Sequence, residues 1–148
     1  MSKLSAKDIL TQSKSTLEQW QPKWEAQAKE NSVFVAESKT SHKELIMLGT
    51  GKTSIVCAMG ASLEHLIPVI AKYAGNESVE VSCVDKAFGP LMEAGITPKY
   101  VFVADGNVSY EKYCQPWVDR SEGVNLICNV SANPLWPKNW KGKRYFYV

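Results

Sequence analysis

Thr53-Ser-Ile-Val-Cys-Ala-Met-Gly-Ala-Ser-Leu-Glu64 changes character twice: a β-branched apolar run breaks into small residues, which then open an amphipathic helix. Strand, glycine turn and helix in that order form the place where α/β proteins bind phosphates. At Met59-Gly60-Ala61-Ser62 main-chain N–H groups can approach a ligand closely, and the positive end of the following helix favours an anion. The alternative is a plain strand-to-helix turn in which Gly60 serves only the backbone conformation.

Downstream of this turn, strands and helices alternate. Residues 54–58 read as the first strand, and 62–73 as a helix that buries Leu63, Leu66, Ile67 and Ile70, with Ser62 as its cap and Pro68 distorting its first turn. Gly75-Asn76 ends it. Residues 79–85 form the second strand, and Asp85 sits where it can cap the helix that buries Phe88, Leu91 and Met92. Residues 100–105 are apolar throughout, as parallel strands buried on both faces are. A short helix over 109–118, a fourth strand over 124–130 and a fifth over 144–148 complete the pattern. It implies right-handed crossovers and a doubly wound, mostly parallel, Rossmann-like α/β sheet with helices on both faces.

Upstream, residues 5–30 are polar except for Leu10, Leu17, Trp20 and Trp24, whose spacing places them on one helical face. Pro22 is expected to divide this segment into a kinked pair. Tryptophans so spaced read as core or interface contacts, the alternative being a stacking surface for a base or sugar. Gly49-Thr-Gly-Lys-Thr53 invites comparison with a P-loop and fails it. A Walker A motif needs glycine where this chain has Ile46, and a helix where residues 54–58 continue as a strand. Residues 49–53 are then a turn, and Lys52 a solvated residue within it. The expected organisation is an N-terminal helical arm over 1–43 and a Rossmann-like domain over 44–148.

A chain of 148 residues, 45% of them hydrophobic, is long enough for one domain with a sizeable core. Its 17 basic and 15 acidic residues leave a formal charge of +2, which demands neither a nucleic-acid nor a membrane partner. Four cysteines without C-x-x-C spacing, with two histidines, do not make a zinc site. Three of them lie in apolar runs as small hydrophobes, so a reducing, cytoplasmic compartment is expected. Lys3 and Lys7 are followed by no apolar h-region, and no run approaches the ~18 apolar residues of a membrane span.

In a parallel sheet, ligands bind beyond the carboxyl ends of the strands. The residues there are Met59-Gly60-Ala61-Ser62, Asp85-Lys86, Asp105-Gly106-Asn107 and Ser131-Ala132-Asn133. Two carboxylates, Asp85 and Asp105, then converge with a glycine turn on one crevice. Oxygen ligands beside a phosphate-binding turn are what a Mg²⁺-nucleotide site requires, so these two are the expected metal-holding and catalytic residues. The plainer readings are a helix cap for Asp85 and tight turns for Asp105-Gly-Asn107 and Asn133-Pro134. In the C-terminal segment from Trp136 to Tyr147, Lys138, Lys141, Lys143 and Arg144 alternate with Trp140, Tyr145 and Phe146. Such a mixture can track a single strand of nucleic acid, although a strand with a basic turn before it is the preferred reading.

From Lys52 to Tyr113 the sequence resembles the MptE-like family, named for an archaeal 6-hydroxymethyl-dihydropterin pyrophosphokinase and sharing its domain with motility-associated flagellin glycosyltransferases. The matching motifs are Gly51-Lys-Thr53, Ala58-Met-Gly-Ala-Ser-Leu63, Val84-Asp85, Glu93-Ala-Gly-Ile-Thr-Pro-Lys-Tyr-Val101 and Asp105. Asn133-Pro134 and Trp140-Lys-Gly-Lys143 are also similar. The resemblance extends to bacterial sialyltransferases, whose glycine turn holds a nucleotide-sugar. It implies diphosphate transfer from ATP to a hydroxymethylpterin-like acceptor, or glycosyl transfer from a nucleotide-sugar. Asp85 and Asp105 would then hold Mg²⁺ and the Gly60 turn the phosphates. The chain differs from the family in having Ala58 and Ala61 where glycine and proline are favoured. It also stops at Val148, and a domain without the family's C-terminal part is expected.

The expected partner is a nucleotide or phosphorylated small molecule, with no membrane and no nucleic acid. A homo-oligomer, or a second chain completing the domain, is the further expectation, since a strand at the end of the chain leaves an edge to pair. The competing reading is a non-catalytic nucleotide-binding or assembly module, such as a phage or mobile-element accessory protein.

Overall fold

A computed structural model describes residues 6–148. Helix α1 (Ala6–Glu37) leads through a 3₁₀ turn (His42–Leu45) into strand β1 (Thr53–Cys57). There follow α2 (Ala61–Tyr73), β2 (Val79–Val84), α3 (Asp85–Glu93), β3 (Tyr100–Val103), α4 (Tyr110–Tyr113), a 3₁₀ turn (Gln115–Arg120), β4 (Asn125–Asn129), α5 (Leu135–Asn139) and β5 (Arg144–Tyr147). The five strands form one all-parallel sheet, consistent with the expected Rossmann-like α/β fold.

The strand order is β1-β2-β3-β4-β5, the order of the chain, with no reversal among the described strands. Right-handed crossovers between successive neighbours all fall on one face, so the sheet is wound in one direction and the crossover helices expected on both faces lie on one. On that face Cys57, Cys83, Val101 and Leu126 stand side by side in register and are buried. Helices α3, α4 and α5 seal it with Phe88, Tyr110, Trp136 and Trp140. Trp136 stacks on Trp140 at 6.5 Å and takes the edge of Tyr110 at 6.3 Å, and Trp140 lies 5.3 Å from Phe88. On the opposite face Val56 and Phe102 remain exposed, at 68% and 39%.

The basic, aromatic C-terminal segment therefore has a structural explanation. Trp136, Trp140 and Tyr145 are buried, so their rings are core and cannot stack on bases. Trp140 also donates Nε1–H to the Val124 oxygen at 2.9 Å. Gly142 accounts for the glycine of Trp140-Lys-Gly-Lys143, because a Cβ there would meet the Ser121 oxygen at 2.7 Å and overlap that of Val124.

Several local expectations are corrected. Pro22 does not divide α1: it removes a single hydrogen bond, to the Glu18 oxygen, at an exposed position, and the helix continues through it. The Leu10 side chain lies outside those described, Leu17 is 53% exposed, and Trp20 and Trp24 are half-buried. In α2 Leu63 and Ile70 are buried while Leu66 stays 49% exposed, because α2 flanks an edge strand with nothing beyond it. Pro68 is accommodated within the continuous helix. Lys52 is solvent-exposed, as expected, and its Nζ also donates to Glu80 Oε1 at 2.8 Å, at the amino end of the sheet. No helix among the described residues is long and apolar enough to cross a membrane.

Candidate functional site at the carboxyl ends of the strands

The phosphate-turn candidate opens α2. Gly60 is the N-cap, with extended backbone at φ −164° and ψ 165°, and makes no side-chain capping hydrogen bond. Ser62, expected as the cap, lies inside the first turn instead. The first amides of α2 thus lack the side-chain acceptor that usually satisfies one of them. Met59, Gly60, Ala61 and Ser62 are all exposed, and a Cβ on Gly60 would touch nothing within 4 Å. The backbone here does not require glycine, and the amides are open to an anion.

On the next strand, Asp85 is the first residue of α3, with Val84 in the capping position. Its carboxylate accepts the Lys86 N–H at 2.6 Å and is 9% exposed. Burial pushes its pKa above the ordinary 3.8; the Lys86 amide and ammonium oppose this, and the negative charge of Asp105 adds to it. Asp105 follows β3 and is exposed, its Oδ1 accepting the Asn107 N–H at 2.8 Å. Each acid spends one oxygen on a main-chain N–H one or two residues further on, leaving the other for a ligand. The strands that deliver Gly60, Asp85 and Asp105 are successive neighbours, spaced ~4.8 Å apart.

The rest of the crest is built by α1. Gln27, buried, donates Nε2–H to the Gly106 oxygen at 2.8 Å. Asn31, fully buried, donates Nδ2–H to the oxygens of Val130 and Ala132, both at 2.9 Å. Lys23 Nζ donates to Asn107 Oδ1. A sheet whose strand order never reverses has no switch-point crevice of its own. Here α1, lying over the loops after β3 and β4, supplies the missing wall. The resulting cleft, about 340 Å³, is lined by Trp24, Ala104, Asp105, Asn129 and Ser131.

Among the expected site residues, Met59, Gly60, Ala61, Ser62, Asp85, Asp105 and Ser131 thus face the carboxyl crest. Gly106, Asn107 and Asn133 have structural roles. Gly106 is pinned under Gln27, and Asn107 accepts from Lys23. Asn133 donates to the Val108 oxygen at 3.0 Å and accepts the Leu135 N–H at 3.1 Å, so both ends of its amide are engaged.

Trp24, Asn129 and Tyr147 belong to the crest although the sequence did not single them out for it. Asn129 Oδ1 accepts from Ser131 N–H and Oγ–H at 2.9 and 2.6 Å, and the pKa of Tyr147, the residue paired with Asn129 across β4 and β5, is raised chiefly by burial, with the charge of Asp85 adding to it. Asn129 and Tyr147 are the last residues of β4 and β5, where a sequence does not distinguish a ligand-facing side chain from one that only extends the ladder. Trp24 carried a visible signal, its helical spacing from Trp20, but no indication of which loop it would meet.

A larger cavity of about 560 Å³ lies at the opposite, amino end of the strands, lined by Leu48, Lys99, Tyr100, Asn125, Lys141 and Lys143 among others. It contains neither the paired acids nor an open helix N-terminus. The carboxyl crest is therefore the candidate site.

The family model described as 6-hydroxymethylpterin diphosphokinase MptE-like matches residues 25–148. No curated protein and no solved structure matches the chain. With a match that runs from within α1 to the end of β5 and takes in every strand of the sheet, the chain belongs to the MptE-like family.

Proposed function

We propose that this protein is a transferase that binds ATP across the carboxyl ends of β1, β2 and β3 and passes its diphosphate to a hydroxymethylpterin-like acceptor. One observation carries the reading: the open amides of α2 stand beside two carboxylates that each keep an oxygen free. The family description supports the same chemistry.

The donor set suits Mg²⁺, a hard cation that binds through one or two carboxylates plus substrate phosphates. Among the described residues no cluster of three acidic, histidine or cysteine side chains exists that could cage a metal without the nucleotide. Asp85 and Asp105 would hold the ion, which when bound neutralises phosphate charge. The Gly60–Ser62 amides would orient the phosphates. The acceptor hydroxyl oxygen bonds to the β-phosphorus as the bond from that phosphorus to the α-bridging oxygen breaks, and AMP departs with the bridging oxygen. The hydroxyl proton leaves to solvent through the open cleft.

Thermal-shift measurements with ATP, GTP and a UDP-sugar, each with and without Mg²⁺, test the site. Stabilisation by ATP that needs Mg²⁺ and is lost in Asp105→Ala is expected. AMP and a pterin diphosphate should then form from ATP and 6-hydroxymethylpterin. Stabilisation without turnover would leave a non-catalytic nucleotide-binding module, and a response to the UDP-sugar alone would point to glycosyl transfer. No stabilisation by any nucleotide would overturn the reading.

Self-association belongs to the same proposal. The free edge of β1 carries no charge or proline to protect it, and Val56, Leu66, Val69 and Tyr73 lie exposed around a groove between β1 and α2. A second copy pairing β1 edge to edge would cover them, giving a dimer by sedimentation.

A further inference from the structure

We infer that Trp24 is the stacking wall for a flat heteroaromatic ring, so that the carboxyl crest is divided, with phosphates over β1 and β2 and the ring over β3 and β4. This rests on the ligand site proposed above and adds to it a subsite, a residue and a ligand class.

The placement of Trp24 follows from neighbours that do not depend on it. Lys23, Gln27 and Asn31 tie α1 to Asn107, Gly106, Val130 and Ala132. Trp24 lies between these anchors and is brought to the mouth of the cleft without being swallowed by the core. It is half-buried, whereas the core tryptophans Trp136 and Trp140 are exposed by only 0% and 6%. An indole held by its own helix, with part of its surface left in a cleft, is preorganised to receive another ring.

The other walls indicate what that ring is. Ala104 contributes apolar surface, and the Asn129 carbonyl is already satisfied by the amide and hydroxyl of Ser131. No lysine or arginine lines the cleft, so nothing there attracts a phosphate. Asp105 stands at the rim, on the side of Asp85 and the α2 amides. A ligand with a planar, uncharged ring at one end and a phosphate chain at the other fits this polarity, and one orientation only. Both a purine base and a pterin have such a ring. Trp24 lies one residue before the stretch that the family model matches.

Calorimetric titration of the full chain separates the alternatives. The probes are inorganic triphosphate with Mg²⁺, which has no ring, ATP with Mg²⁺, and 6-hydroxymethylpterin. Trp24→Ala is expected to weaken a ring-bearing probe about tenfold or more, as loss of one stacking partner does, with triphosphate affinity unchanged. Trp24→Phe should recover most of the loss, and Trp20→Ala should have no effect. Whether ATP or the pterin loses affinity identifies whose ring is stacked.

Equal weakening of triphosphate and ring-bearing probes would make Trp24 a structural residue and overturn the inference. So would undiminished binding of both ring-bearing probes to Trp24→Ala, or failure of both to bind the wild type. Trp24-dependent ring binding with no triphosphate binding would instead remove the phosphate site and leave the stacking wall standing.

Discussion

The side chain of Gln27 and the main chain of Gly106 are locked together: Nε2–H of the former donates to the oxygen of the latter at 2.8 Å. A Cβ on Gly106 would overlap the Gln27 carboxamide and come within 2.9 Å of the Ser131 oxygen. Glycine is required here so that α1 can lie against the loop after β3, and the wall of the cleft depends on that approach.

Gly106→Ala should therefore destabilise the protein by about 1–3 kcal/mol, the cost typical of overpacking. Gly60→Ala, in open space with extended backbone, should cost less than about 1 kcal/mol, as a poorer N-cap. Urea denaturation of the two variants checks the contrast. Equal losses would contradict the docking described for α1.

Asn31 satisfies two loop carbonyls, and its own Oδ1 is buried without a hydrogen-bond partner. Asn31→Ala should cost about 1–3 kcal/mol, because two buried acceptors lose their donor. Asn31→Asp should cost more, since it sets an acid against the Val130 and Ala132 oxygens. The loss should also be visible as a change in tryptophan emission when Trp20 and Trp24 leave the domain.

At Gly60 stability and ligand binding should move in opposite directions. Gly60→Asp places a preferred capping group at the N-terminus of α2 and should stabilise the fold by a few tenths to about 1 kcal/mol. The same carboxylate occupies the amides and repels an anion. Triphosphate binding should fall by about tenfold or more while the melting temperature rises, and unchanged binding would remove the α2 amides from the site.

Asp85 should leave a signature in the pH dependence of stability. Its pKa is raised chiefly by burial, so between about pH 3.8 and the raised value the folded chain holds a proton that the unfolded chain has released. Stability falls as pH rises through that window, and above it the folded state carries a buried charge. Asp85→Asn keeps an acceptor for the Lys86 N–H without the charge. It should be more stable than the wild type at neutral pH, and the difference should vanish as the pH falls to 3.8. Chemical denaturation at a series of pH values measures this, and a difference that grows in acid would refute it.

All four cysteines are buried and unpaired, and burial raises each thiol, those of Cys114 and Cys128 to about 12. None should react with a thiol reagent at pH 8 on the timescale of minutes, and all should react once the chain is unfolded. Rapid labelling of Cys57 in the native state would mean that the β1 edge opens locally.

The alternation of β-branched runs with helical stripes was legible over residues 53–103, because the neighbours that give strands and helices their period lie close in the chain; beyond them the expected helix over 109–118 is a four-residue α4 and a separate 3₁₀ turn, and α5, only five residues long, is too short to show a period. The failure of Gly51-Lys-Thr53 as a P-loop was legible too, since residues 53–57 continue as a strand. So was the position of Gly60, Asp85 and Asp105 at the ends of β1, β2 and β3. The burial of Trp136 and Trp140 was not, because composition alone cannot distinguish a core aromatic from an exposed one beside the same lysines.

By itself, the sequence determined the five strands, the helices after the first two of them, the parallel sheet, the family and the residues at the strand ends, all of which follow from local periodicity and short motifs. Only the tertiary structure decided that the strands stay in chain order and that α1 runs unbroken past Pro22 to wall the crest. That docking is made by Gln27 and Asn31, polar side chains that read as solvated in a helical pattern. Their partners are main-chain oxygens at Gly106, Val130 and Ala132, which every sequence has and none advertises. Contacts between a side chain and a distant backbone leave no periodic trace, so where Trp24 would stand became visible only when the chain was folded.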